Sequence, residues 1–272
     1  MQRAVEPFAT TPRRVYQSKN EYGKRLLFAR VMGQRRTDLG PGPAIGTQKS
    51  AAVAGSKTMN QHVPPTDLEI AALISSKIVH DVIGPVGAIY NGLEILDEDD
   101  DDVEAKTYAM EVIRNVTQQA SARLQYARFA FGAAGSAGAM IDLGTAEQIS
   151  RGYLNGSKHK LNWQGEPGHM IKDKVKLLLN LVASAISSLP RGGEIDLKIT
   201  GPLACPAFTF KCRGTGARPP QYLTDFVTGN SAPQLDAMTI QAYYTWRLAA
   251  SAGMRLDIAK DGADIVITAS PI

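Results

Sequence analysis

The chain has 272 residues, 44% apolar and 21% charged, a globular composition that excludes wholesale disorder and a fibre and leaves room for two ordinary domains. Its two cysteines, Cys205 and Cys212, stand outside any CxxC spacing and there are only four histidines, so a disulfide framework or a zinc site is not expected and a reducing compartment fits. The net charge of +4 divides unevenly: residues 1–58 hold 11 Lys/Arg against 3 Asp/Glu and the remainder 19 against 23, so the basic balance is no argument for nucleic-acid binding by the body of the protein.

Residues 1–58 read as a separate basic extension. Arg13-Arg14 and Arg35-Arg36 punctuate it, and GPGPAIG at 40–46 breaks any helix. Little in it can bury a core, so it is expected to be disordered or to lie upstream of a true start at Met59; a basic targeting peptide is the rival reading. No uninterrupted run of 18 apolar residues occurs anywhere, so no membrane span is expected.

From Asp67 the pattern changes. Thr66-Asp67-Leu68-Glu69 has the spacing of a capping box. Ile70, Ile74, Ile78, Val82, Val86, Ile89, Leu93 and Leu96 then recur at steps of three and four, which predicts one apolar stripe on one long helix. DEDDDD at 97–102 ends it; like charges repel, and a solvated turn is favoured over a cation loop, which needs a glycine turn at defined spacing. Ala109, Ile113, Val116, Ala120, Leu124, Ala127 and Phe131 predict a second helix. Residues 67–134 are thus a helical hairpin, each arm about 45 Å long. Two helices cannot enclose a core, so the pattern predicts a homodimer closed as a four-helix bundle.

Residues 140–272 read as a mixed α/β domain. Helices are predicted over 144–153, 171–189 (amphipathic) and 236–251, and strands over 194–199, 207–211, 256–259 and 264–268. The elements do not alternate strictly, so a layered α/β sandwich is favoured over a doubly wound sheet. Trp163 and Trp246 are assigned to the core. Lys172, Lys174 and Lys176 are assigned to a solvated helix face, with a partner contact as the alternative.

His80 is the residue most suggestive of chemistry. With Ile78 at 0°, it lies at about 200°, opposite the apolar stripe. Asp81 is beside it. Pro85 removes a backbone donor and clashes with the Asp81 carbonyl, at about 3 kcal/mol in a helix interior. Gly84 and Gly87 weaken the same stretch. Such a helix needs a reason, and close approach by a partner is one.

HDVIGPVGAI at 80–89 resembles the H-box of histidine kinases, and the hairpin resembles their dimerisation and phosphotransfer domain. LLLNLVASAISSLPRGGEIDLKI at 177–199 resembles the N-box helix and following strand of their ATP-binding domain, so the resemblance covers about 67–272. It implies a hairpin followed by a kinase-like (Bergerat-type) α/β sandwich. The departures are informative. Asn180 matches the first N-box asparagine, but Ser184 stands where the magnesium-binding one belongs. Cys212-Arg213-Gly214-Thr215-Gly216 keeps the glycines of the adenine-binding motif and lacks its aspartate. No glycine lies between Gly229 and Gly253, where a phosphate loop belongs. ATP binding and autokinase activity are therefore not expected.

A kinase-like dimer that keeps its histidine and lacks an ATP site resembles the ChpT-type histidine phosphotransferases of alphaproteobacteria. The resemblance implies a cytoplasmic homodimer in which the receiver domain of a hybrid histidine kinase phosphorylates His80 and response regulators of the cell cycle take the group away. It implies no cofactor of the protein's own, Mg2+ coming with the partner receiver, and neither a membrane nor a nucleic-acid partner. Asp81 is expected to hold the His80 tautomer through Nδ1–H, and Lys77 to meet the phosphoryl oxygens, a solvated lysine being as good a reading. Ile83, Gly84, Gly87, Tyr90 and Asn91 are the expected receiver footprint. Gly84 stands where bifunctional kinases carry a water-orienting Thr or Asn, so phosphatase activity is expected to be weak. Two alternatives stay open: a kinase with a divergent nucleotide site, and a scaffold that binds receivers without accepting phosphate. A nucleic-acid binder using the basic arm is a third idea, and it requires salt-steep affinity.

Overall fold

A computed structural model describes residues 65–98, 102–132, 138–229 and 234–272. The basic extension and most of the acidic turn lie outside the described residues.

Helix α1 (Asp67–Asp97) begins as expected: the Glu69 amide donates to Thr66 Oγ1 at 3.2 Å and the Thr66 amide to Glu69 Oε2 at 2.8 Å. Helix α2 (Val103–Ala130) is capped by Asp102, whose carboxylate accepts from the Ala105 amide at 2.9 Å. The two helices pack tightly at Gly92, where a Cβ would stand 2.6 Å from Ile113 Cγ1.

The single stripe expected on α1 is two stripes. Ile74, Ile78, Val82, Ile89 and Leu96 are half-buried along the seam with α2, whereas Val86 and Leu93 are exposed. The exposed pair belongs to a second run, Val79, Ile83, Val86, Tyr90 and Leu93, about 100° round the helix. Its steps of four and three repeat every seven residues, a coiled-coil period. Tyr108 and Leu124 of α2 are exposed as well. In the sequence the stripes merge because a fully apolar sector reads as one face at steps of three and four. The same apolarity makes α1 the one helix among the described residues long and apolar enough, by length and composition, to cross a membrane. The lack of an uninterrupted 18-residue apolar run points the other way.

Beyond the hairpin come β1 (Met140–Asp142), α3 (Leu143–Leu154), β2 (His159–Gln164), β3 (His169–Ile171), α4 (Lys172–Ser187), β4 (Gly193–Thr200), β5 (Ala207–Arg213), α5 (Gln221–Thr228), α6 (Ile240–Ser251), β6 (Met254–Asp261) and β7 (Asp264–Pro271). The main sheet has the order β2-β4-β5-β7-β6, parallel at β2–β4 and antiparallel elsewhere; β1 and β3 form a separate antiparallel pair. Register places Ile195, Cys212 and Ile265 side by side, then Leu197, Phe210 and Ile267, then Ile199, Phe208 and Ala269. All nine are buried on one face. The other face carries ion pairs, Arg213 with Asp196 at 2.6 Å and Lys211 with Asp261 at 2.9 Å. The sheet is therefore one layer of a two-layer sandwich.

Helix α4 is the hub. Val175 to Val182 are buried without interruption, so it is less amphipathic than its sequence suggests. Lys176 is buried among them, its ammonium pulled below its ordinary pKa by burial, and Lys174 donates to the Ala204 carbonyl at 2.6 Å. The lysine row is not the solvated face expected of it. Trp163 packs against the core, but Trp246 is part-exposed, tilted against Tyr243 and stacked on Phe226.

The hairpin is built into this core through α2. Tyr126 is buried, stacks on Tyr153 with centroids 3.9 Å apart and donates its hydroxyl to the Leu179 carbonyl. Asn180 Nδ2 donates to the Ala130 carbonyl at 3.0 Å. The base of α2 thus holds the hairpin to α4.

The two cysteines differ in a way that reagents can read. Cys205 is exposed; Cys212 is buried in β5, and burial pushes its thiol up to about 12. A colorimetric disulfide reagent at pH 8 is expected to release one equivalent rapidly from the native protein and the second only on unfolding. Two fast equivalents would contradict the buried position of Cys212.

Candidate functional site

The site is assembled on α1. The His80 side chain is 64% exposed, in the middle of a 31-residue helix. Helix geometry sets Gly84, Gly87 and Asn91 at about 180–240°, on the His80 face. Ile83 and Tyr90 lie at about 120–140°, at its border with the exposed apolar stripe. All five expected footprint residues are exposed, but they divide between two adjoining faces.

A Cβ added at Gly84 or Gly87 would meet nothing within 4 Å. Pro85 bears on the two glycines unequally: its ring disfavours a Cβ on helical backbone at 84, whereas at 87 no internal contact requires glycine, which disfavours the helix by about 1 kcal/mol relative to Ala. Beside Pro85, the two glycines leave a smooth strip of backbone next to an exposed imidazole.

Asp81 and Lys77 are coupled to each other. Lys77 Nζ lies 2.7 and 2.6 Å from the two Asp81 carboxylate oxygens, and both side chains are half-buried. The nearer carboxylate oxygen is 3.6 Å from His80 Nδ1, beyond hydrogen-bond range. The tautomer-holding bond expected of Asp81 is therefore not made here. Lys77, expected to be free for phosphoryl oxygens, spends its ammonium on Asp81.

A third partner carried no sequence signal. Arg123 of α2 donates from Nη1 to the Asp81 main-chain carbonyl at 2.8 Å. The two residues are 42 positions apart, and only the hairpin brings them together.

The remnants of the nucleotide motifs have turned inward. Asn180 is fully buried, donating to the Lys176 and Ala130 carbonyls. Ser184 Oγ donates to the Asn180 carbonyl at 3.0 Å. Cys212, where the adenine-reading acid belongs, is a buried neutral thiol. Gly214 is kept for packing: a Cβ there would stand 2.5 Å from the Gly192 carbonyl oxygen. An open cavity of about 250 Å³ remains between Ser184 and Ser187 of α4, Arg218 and Pro220 of the loop before α5, and Met238 and Gln241. Among the described residues no cluster of His, Cys, Asp and Glu has the make-up of a metal site.

The family described as "Histidine phosphotransferase C-terminal domain" matches residues 143–264. Over 213 residues, which are 78% of this chain and the full length of the relative, the chain is 41% identical to protein phosphotransferase ChpT of Brucella abortus (strain 2308). The chain belongs to the ChpT-type histidine phosphotransferase family. A solved bacterial phosphotransferase, 39% identical, superposes with a TM-score of 0.70 over 76% of this chain and 98% of that one. The chain is thus a protein phosphotransferase of two-component type. Its architecture is the ChpT-type one expected from the sequence, a helical hairpin followed by an α/β sandwich.

Proposed function

We propose that His80 is the phospho-acceptor of a relay that draws on no ATP. The receiver domain of a hybrid histidine kinase donates the phosphoryl group, and response-regulator receivers that control the cell cycle remove it, in the cytoplasm. The observation that carries this reading is the exposed His80 beside the bare helix surface of Gly84 and Gly87, the second of which no internal contact requires.

The chemistry asks little of the chain. Neutral His80 attacks the phosphorus through Nε2 as the bond to the donor's aspartate oxygen breaks, and the carboxylate leaves on the receiver, whose own Mg2+ would supply charge neutralisation there; the second transfer runs the same step backwards. The protein supplies position. Holding the Nδ1–H tautomer that leaves Nε2 free for attack would need the Asp81 carboxylate, 3.6 Å from Nδ1 in the unbound protein, to close that gap once a receiver docks. Lys77 holds Asp81. A helix face with shallow apolar contacts suits transient docking of a small domain. Gly84 offers no side chain to orient a hydrolytic water, so the phosphoryl group is kept for transfer. The inward-turned nucleotide motifs favour this reading over a divergent kinase.

The exposed heptad of α1 supports a homodimer, since a second copy would cover Val79, Val86 and Leu93 as in a four-helix bundle. Light scattering is expected to give twice the chain mass for the wild type and one chain mass for Val86→Glu/Leu93→Glu. A wild-type monomer would contradict it. The relay itself is tested by loading the protein from a labelled phospho-receiver, removing the donor and adding a second receiver. Label is expected to move to the second receiver's aspartate. Uptake without onward transfer would contradict the relay.

A further inference from the structure

The turn that carries His80 contains a defect, and a distant residue repairs it. In a helix the amide of residue 85 would donate to the carbonyl of residue 81. Pro85 has no amide hydrogen, so the Asp81 carbonyl loses its intrahelical donor. Yet α1 runs through Pro85 without a break, from Asp67 to Asp97. Arg123 supplies the missing donor, its Nη1 lying 2.8 Å from that oxygen.

Arg123 is well placed to do more than fill a gap. It is half-buried and lines a small cavity with Asp81, Tyr126, Tyr153 and Gln241. Its charge opposes the rise in the Tyr153 phenol pKa that burial and Asp81 cause. One guanidinium thus ties the Asp81–Val82 peptide, one residue beyond His80, to α2, at the level where Tyr126 and Tyr153 join the hairpin to the α/β core.

We propose that Arg123 is the positioning residue of the phosphotransfer site. By donating to the Asp81 carbonyl in place of residue 85, it holds the proline-interrupted turn to α2 and fixes the direction in which His80 meets a docked receiver. It touches neither the imidazole nor the phosphoryl group. This inference rests on His80 being the phospho-acceptor.

A double-mutant cycle between positions 85 and 123 tests it. Uptake of label from a phosphorylated receiver is followed at saturating receiver for wild type, Arg123→Ala, Pro85→Ala and the double variant. Arg123→Ala is expected to slow uptake about tenfold, the scale of a lost charge-assisted hydrogen bond, with the receiver Kd changed less than about twofold. In the double variant the amide restored at position 85 can serve the Asp81 carbonyl, so the rate is expected to fall within about twofold of Pro85→Ala alone. Arg123→Lys, which keeps a donor, is expected to recover part of the rate. Tm measured on the same four proteins reports the coupling without any phosphoryl chemistry. Equal rate losses from Arg123→Ala in both backgrounds would overturn the inference, as would coupling confined to Tm. If wild type takes no label while the Tm cycle still couples, the acceptor role of His80 fails and the repair of the turn stands.

Discussion

His80→Ala is expected to remove all acid-labile, base-stable label from the protein, against near-stoichiometric uptake by the wild type under the same phospho-receiver. The loss is total because the acceptor nitrogen itself is gone; a hydrogen-bonding group would leave residual transfer. The variant is a clean one. The side chain is 64% exposed, and the nearby Lys77–Asp81 pair does not depend on it. Removing such a surface group changes stability within about 0.5 kcal/mol. Circular dichroism and Tm should therefore match the wild type, and receiver binding should persist while label does not. Label retained on His80→Ala would move the acceptor elsewhere. Among the described residues, His159 and His169 are the other histidines, and the side-chain Nε2 of His159 is bound to the Leu189 carbonyl.

The second large effect separates folding from docking. Gly87→Ala should raise stability, because Ala favours a helix interior by about 1 kcal/mol over Gly and a Cβ there meets open space. The substitution is expected to raise Tm by about 2–4 °C. Gly87→Leu should fold as well, since its side chain also enters solvent. It should nevertheless weaken receiver binding about tenfold or more, the scale on which an overfilled contact is penalised, and transfer should fall with it. A more stable protein that docks worse is what a strip of backbone kept bare for a partner predicts. If Gly87→Leu bound receivers as tightly as the wild type, the footprint would lie elsewhere.

Much of this architecture is legible in the sequence. The capping box at Thr66, the two hairpin arms, α4, the β4–β5 pair and the closing hairpin around Asp261-Gly262 carry strong local signals. The elements that escape a sequence reading are short or locally polar. β1 and β3 have three residues each and exist only because they pair with one another. β2 begins His159-Lys160, and its parallel partner β4 determines its place. α5 is a two-turn helix after Pro219-Pro220. α6 begins at Ile240 rather than at Asp236, because Asp236 and Thr239 form a hydrogen-bonded turn that reads like a helix cap.

The site divides in the same way. His80, Gly84 and Pro85 are conspicuous because each violates what a helix wants. Their spatial partners are not. Lys77 draws attention by its charge, which suggests phosphoryl oxygens, whereas its spacing of four from Asp81 is the ordinary i,i+4 ion-pair spacing. Arg123 has no signal of its own. Pro85 announces that the Asp81 carbonyl needs a donor, but only the packing of α1 on α2 says which residue provides it.

The central claim is that the phosphoryl group enters from a receiver and not from a nucleotide. The most direct measurement gives the full-length protein either a phosphorus-labelled phospho-receiver or ATP labelled at the γ-phosphate with Mg2+, and follows label on the chain from milliseconds to an hour. The account predicts rapid label from the receiver and none above background from ATP. Label arriving from ATP at any appreciable rate would contradict it and restore a kinase.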